Sequence, residues 1–187
     1  MRTKIFTVTG LVTLLLLASV AFAQNKRETF GATAQGGEGP YFGKMFNVTV
    51  IIESYSTAED QQILLEAFQK AGNQGVVNAL DKMPAKGHIA ITGTLGYDVN
   101  YVREFPMPNG GRRIRLVTDR PITFGEAWTD SRSMDYNLSA LELIISPDKN
   151  QSGGTLLPAC QFSVNKEKEL TLEVYANPWK LTDIIVW

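Results

Sequence analysis

The sequence predicts an α+β domain in which one strand and a two-helix hairpin precede a curved antiparallel sheet, or partly closed barrel, of about seven more strands. Three observations predict it. Residues 46–53 alternate apolar and polar positions in period two, residues 58–83 carry apolar side chains at helical spacing, and the rest of the chain is a series of short β-rich runs separated by turn residues.

Composition frames this reading. The chain has 187 residues, of which 44% are hydrophobic and 20% charged, with a net charge of −1. Such values exclude a disordered polyelectrolyte and a nucleic-acid binder driven by bulk positive charge. Arg2 and Lys4 precede an apolar run over 11–20 that closes on Ala21-Phe22-Ala23, the order of a secretory signal peptide with small residues at its cleavage site. Residues 1–23 are therefore expected to be removed, and a periplasmic or extracellular location is expected. The run is short of the ~20 residues that span a bilayer, so no membrane span is expected after cleavage. Residues 24–44 read as a flexible Gly-rich segment, and a single α+β domain is expected over 45–187.

Within that domain, Phe46, Val48, Val50 and Ile52 alternate with Asn47, Thr49, Ile51 and Glu53, which predicts the first strand. Ser56-Thr57-Ala58-Glu59 has capping-box spacing with Ser56 as the cap. Ile63, Leu64, Ala67, Phe68 and Ala71 then recur on one helix face. Gly72 is expected to end this helix and Asn73 to cap a second one, carrying Val76, Val77, Leu80 and Met83 before Pro84. The apolar stripes of such a hairpin need a partner, and the sheet is the nearest. Strands follow at 88–94 and 97–105. Asn109-Gly110 predicts a two-residue type I′ turn, with Phe105 opposite Ile114, Glu104 opposite Arg115 and Val102 opposite Val117. Later strands are expected at 136–146, 155–164, 170–176 and 181–187.

Ser56 to Gly87 with its Lys82-Met83-Pro84 ending, Gly93-Thr94-Leu95-Gly96-Tyr97, Gly111-Arg112-Arg113-Ile114 and Thr118-Asp119-Arg120-Pro121-Ile122 together resemble a family of exported bacterial proteins to which no activity is assigned. The resemblance implies an exported single domain and carries over no catalytic residue. The element order also resembles the start of the helix-grip folds, which implies an apolar ligand held between sheet and helix.

The chemistry-bearing residues are few. His88 is the only histidine, so a multi-histidine metal site is excluded, and no nucleophile elbow, phosphate loop or His-Glu-x-x-His motif occurs. Cys160 is the only cysteine, which excludes an intrachain disulfide, and its alternation with Phe162 and Val164 predicts an inward strand face. Asp148 to Gly153 has the oxygen spacing of a calcium loop, but Ala159 stands where the bidentate Glu belongs, so a polar turn is expected. No cofactor and no metal are expected. A terminal Trp187 suggests an outer-membrane barrel, yet counting back in twos reaches Ile185 and then Asp183, against a lipid-facing row.

Arg103, Arg112, Arg113, Arg115 and Arg120 gather around one hairpin. Strand alternation separates Arg112 from Arg113 and Arg115, which argues against a continuous nucleic-acid surface; a solvated face or a site for a small anion or lipid headgroup remain. Residues 117–136 hold no clean period and include Arg120, Glu126, Trp128 and Arg132, the composition of a long binding loop or of a loop tied by ion pairs.

The expected function is that of an exported soluble binding protein without chemistry of its own. Its ligand is expected to be a small apolar or amphipathic molecule between helices and sheet, touched by Leu64, Phe68 and Val77. The alternative is a cell-envelope protein-interaction module that uses Arg120, Glu126, Trp128 and Arg132 of the 117–136 segment, and a remoter one is a carboxylate-dependent hydrolase.

Overall fold

The computed structural model describes residues 27–37, 42–122, 137–165, 170–174 and 178–187. In chain order its elements are β1 (Glu28–Gly36), β2 (Met45–Ile52), α1 (Ala58–Leu80), β3 (Gly87–Ile91), β4 (Tyr97–Val99), β5 (Tyr101–Pro106), β6 (Arg112–Thr118), β7 (Leu138–Ile145), a 3-10 turn (Lys149–Gln151), β8 (Gly153–Val164), β9 (Leu170–Val174) and β10 (Trp179–Val186). All strands belong to one antiparallel sheet in the order β4-β3-β2-β1-β10-β8-β7-β6-β5, with β9 paired to β8 off that path.

The two ends of this order, β4 and β5, are consecutive in the chain and separated only by Asn100. Around that corner the Asn100 amide donates to Val117 O at 3.1 Å and the Lys86 amide donates to Val99 O at 2.7 Å, while Asn100 Nδ2 donates to Met83 O at 3.1 Å. The sheet therefore curls until its edges meet, as a nearly closed barrel, which removes most of the unpaired edge an open sheet would present.

Two parts of the predicted architecture are corrected. The two-helix hairpin is absent: among the described residues there is one helix, bent at Ala71 (φ −147°, ψ 23°) and Gly72 (φ 58°, ψ −146°). The helix bends rather than reverses, and Val76 and Leu80 after the bend stay in the same apolar layer as Leu64 before it. Asn73 is not a helix cap. Its Nδ2 donates to Phe162 O at 3.0 Å and its Oδ1 accepts from the Phe162 amide at 2.6 Å, so the bend lets a side-chain amide imitate a neighbouring strand along β8. The true N-cap is Thr57, one residue after the predicted Ser56: its hydroxyl accepts from the Asp60 amide at 3.2 Å and Asp60 Oδ2 accepts from the Thr57 amide at 2.7 Å.

The second correction is strand count. Ten strands occur among the described residues, and one of them, β1, lies in what reads as a flexible Gly-rich segment. β1 pairs β2 from Glu28↔Ile52 to Gln35↔Met45 and β10 on its other side. Its inward row, Phe30, Ala32 and Ala34, is buried, but two of these three side chains are methyl groups, too small to raise a hydrophobic signal. Gly31 faces outward, and a Cβ there would lie 2.6 Å from Trp187, so the missing side chain is what admits the C-terminal indole.

The β5–β6 turn differs by one residue from prediction. Met107 N donates to Gly111 O at 2.9 Å and Gly110 N donates to Met107 O at 3.1 Å, closing a three-residue loop with Gly110 at φ 78°. A type I turn followed by a left-handed glycine replaces the two-residue turn, and Asn109 Oδ1 accepts from the Gly111 amide at 3.0 Å. The register is accordingly Glu104↔Ile114, Arg103↔Arg115, Phe105↔Arg113 and Val102↔Leu116.

Two apolar layers result. The barrel interior contains Phe30, Val50, Ile52, Ile89, Leu116 and Leu156, all 0% exposed. This apolar filling is the reverse of the polar lumen of a membrane barrel. The second layer lies between α1 and the outer face of the sheet, where Leu64, Val76 and Leu80 meet Tyr101, Val117, Leu138 and Phe162. Burying one such aliphatic side chain contributes roughly 1.5–3 kcal/mol. The described helix has no segment long and apolar enough to cross a membrane.

Candidate functional site

A concave site forms where the chain leaves β2, passes the cap of α1 and runs beside β5. Ser56 anchors this passage to β5, because its amide donates to Val102 O at 2.7 Å and its hydroxyl accepts from the Val102 amide at 3.0 Å. Asp60, in the first turn of α1, also pairs with Lys86 Nζ at 3.0 Å. Burial pushes the Asp60 carboxyl up, but the Thr57 amide and the Lys86 ammonium outweigh it and hold the group below the usual carboxylate range. The helix start is thereby fixed against the barrel. Between them is a cleft of about 450 Å³ lined by Tyr55, Ser56, Thr57, Ala58, Gln61, Arg103 and Glu104.

The barrel side of this cleft is a charged plug. Arg112 reaches Glu28 with both terminal nitrogens, Glu104 Oε2 at 2.8 Å and the Tyr55 hydroxyl at 3.4 Å, while Tyr55 donates to Glu28 Oε1 at 2.9 Å. Its guanidinium carbon also lies 5.9 Å from the centroid of the Phe30 ring. Hydrogen bonding to Glu28 raises the Arg112 pKa further, and burial, helped by Glu28, holds the Tyr55 hydroxyl above the ordinary phenol range. The four polar groups come from β1, β5, β6 and the segment after β2. They satisfy one another at the barrel end, where apolar packing gives way to solvent.

On the opposite face of the same strands, the alternation separates Arg112 from Arg113 and Arg115 as expected. Arg103, Arg113 and Arg115 surround the Phe105 ring, with guanidinium carbons 5.5, 4.8 and 5.3 Å from its centroid. Arg115 Nε pairs with Glu142 at 2.7 Å, in place of the Glu104 partner predicted from the turn. A gap of only about 20 Å³, lined by Gln61, Tyr101, Arg103, Phe105, Arg115, Phe162 and Leu170, continues from here under α1.

The residues singled out from sequence fall in three places. Leu64 is fully buried in the outer layer, and Phe68 and Val77 are half-buried against it; the clefts described in this section are lined by other residues. Arg120 is exposed beside Asp119 at 3.7 Å. Glu126, Trp128 and Arg132 lie outside the described residues. Sequence reasoning missed Tyr55 and Glu28 because neither belongs to a motif; a Tyr between a strand end and a helix cap was the available signal.

Other candidates are structural. His88 Nδ1 lies 3.0 Å from Asp98 Oδ1 across β3 and β4, remote in sequence from the residues of the cleft. Cys160 is buried in the outer layer, and burial pushes its thiol up to about 12, out of the reactive range. Asp148 accepts from the Asn150 amide and from Gln151 Nε2, so both carboxylate oxygens are engaged inside a polar turn. No group of three metal-binding side chains occurs among the described residues. A polar groove of about 530 Å³ opens where β10 parts from β8, between Lys149–Gly154 and Lys180–Ile184, but it is walled by one turn and one strand edge rather than by converging side chains. Compared with known proteins, the chain matches no family model, no curated protein and no solved structure, so the site alone carries the functional reading.

Proposed function

We propose that this chain is an exported binding protein for a small amphipathic molecule, and that the molecule sits in the cleft between the start of α1 and β5. The observation that carries this reading is the cleft itself. Its volume of about 450 Å³ falls within the ~300–1,000 Å³ of small-molecule sites, and its lining combines apolar surface with a few polar groups from the β2–α1 connection, α1 and β5. The proposed ligand still lies between helix and sheet, at the open end of the α1 layer rather than against Leu64, Phe68 and Val77, where packing is dense.

Binding is favoured over carboxylate-dependent hydrolysis by the role of Arg112. A glycosidase-type pair needs one carboxyl held protonated and a second one free to act on substrate. Glu28 and Glu104 are instead the two counter-ions of one guanidinium.

The test is native mass spectrometry of the chain purified from its own host. A retained molecule is expected, and Ala58→Trp, which places an indole in the cleft from an exposed position, is expected to displace it. A bare wild-type chain, or a molecule retained equally by the variant, overturns the reading.

A further inference from the structure

We propose that the outer face of β5 and β6, where it extends past α1, is a receptor for a tetrahedral oxyanion, a phosphate or sulfate group, held by Arg103, Arg113 and Arg115 around Phe105. This deepens the cleft reading and rests on it in one respect: the oxyanion is taken as the anionic end of the molecule bound there. Arg103 and Gln61 line both the cleft and the gap beside Phe105 and Arg115, so the two are continuous.

The register creates the cluster. Along one face of this hairpin the cross-strand pairs are Tyr101↔Val117, Arg103↔Arg115 and Phe105↔Arg113. The first pair is apolar and belongs to the layer beneath α1, and the next two are three arginines and a phenylalanine. Like charges directly opposite each other on paired strands are destabilising. With the two-residue turn, Glu104 would have opposed Arg115; the three-residue loop opposes Arg103 to it instead.

The described residues leave the charge only partly compensated. Arg115 is engaged by Glu142 and donates from Nη1 to Leu170 O at 3.2 Å. Arg103 and Arg113 have no carboxylate partner among the described residues, and Arg113 Nε is buried without a hydrogen-bond partner. The Phe105 face attracts cations, at ~0.5–1 kcal/mol for an exposed pair, but accepts no conventional hydrogen bond. That buried Nε is out of a ligand's reach, and a polyatomic oxyanion supplies charge and acceptors to the terminal nitrogens of the cluster. Planar guanidinium forks match pairs of oxygens on phosphate or sulfate better than they match a single-point anion.

The experiment titrates the full mature chain with inorganic phosphate, using sodium chloride at matched ionic strength as reference, and reads heat by calorimetry and the unfolding midpoint. Saturable binding to wild type is expected. Arg103→Gln and Arg113→Gln are each expected to weaken it about tenfold, Arg113→Lys is expected to weaken it while keeping the charge, and Lys82→Gln, away from the cluster, is expected to leave it unchanged. Phosphate that acts no differently from chloride on wild type overturns the proposal whether or not the variants fold. So does a folded Arg103→Gln/Arg113→Gln double variant that binds phosphate like wild type. A short-chain phosphatidate below its micelle concentration separates the sources: tighter binding than phosphate identifies a lipid headgroup, and equal binding identifies a free oxyanion. Phosphate binding by a chain that carries nothing from its host leaves this site standing and removes the cleft reading. A molecule displaced by Ala58→Trp that contains neither phosphorus nor sulfur does the reverse.

Discussion

The barrel interior and the layer beneath α1 are both apolar, yet they are built by different rules. In β2 only the inward row is buried, and Val48, Val50 and Ile52 alternate with partly or fully exposed neighbours. In β7 the four residues from Leu138 to Leu141 are buried in succession, because one face looks into the barrel and the other lies under the helix. Half of the sheet thus has a solvated face, and half is sandwiched. The consequence for function is positional: the helix covers only part of the outer face, and polar chemistry collects where the cover stops, at Gln61, Arg103 and Phe105.

The contrast is broken most directly by truncation in each layer. Phe30→Ala removes a fully buried ring from the interior and is expected to cost about 3–5 kcal/mol, whereas Leu64→Ala in the outer layer is expected to cost about 2–5 kcal/mol. The sharper readout is hydrogen exchange. Phe30→Ala should speed exchange throughout the barrel, and Leu64→Ala should speed it in α1 first. Equal acceleration in β1–β3 and α1 by Leu64→Ala would make the two layers one cooperative unit.

At the barrel end, Arg112→Ala leaves Glu28 without its guanidinium in a site where that carboxylate side chain is only 15% exposed. A loss of about 2–4 kcal/mol in denaturant unfolding is expected, less than for a fully buried pair because solvent reaches Arg112 and Glu104. In the outer layer, Gly72→Ala tests the bend. Alanine in a straight helix gains ~1 kcal/mol over glycine, but at φ 58° and ψ −146° it is expected to lose about 1–3 kcal/mol despite open space around the position. Asn73→Ala, which frees the Phe162 amide, is expected to cost about 1–2 kcal/mol by the same measurement.

The smallest expected effect belongs to the junction of the two layers. Asp60→Asn weakens the Thr57 cap and the Lys86 pair, for about 1 kcal/mol near neutral pH. The Asp60 carboxyl is depressed in the folded state. Its contribution is therefore complete above the unfolded value of ~4 and is lost as pH falls through the lower folded value. The stability difference between wild type and Asp60→Asn should shrink over that acid range, and a difference that grows there would contradict the assignment.

Legibility followed burial. β2 was readable because large β-branched residues alternate on a half-solvated strand, and the start of α1 was readable to within one residue from its cap chemistry. Gly72 was expected to end the helix, but the helix bends there and continues, because what a non-helical residue does to a chain depends on what the next segment touches, here the backbone of Phe162. β1 was missed since Ala32 and Ala34 gain their burial from the larger side chains around them. For the cleft, Arg103 was already part of the basic cluster, whereas Tyr55 and Glu104 acquire meaning only through Arg112 and Glu28, 84 residues apart.

What the chain alone determined is local: a β-rich composition, amphipathic helical spacing over 58–83, a hairpin turning near Asn109, and a lone histidine and cysteine that bar several chemistries. Only the tertiary structure decided that the sheet closes at Asn100, that β1 belongs to it, and that Arg103 faces Arg115. The physical reason is that closure and register are set by contacts between residues distant in sequence. A strand has period two, so a one-residue difference in a turn exchanges every cross-strand neighbour without changing the local pattern.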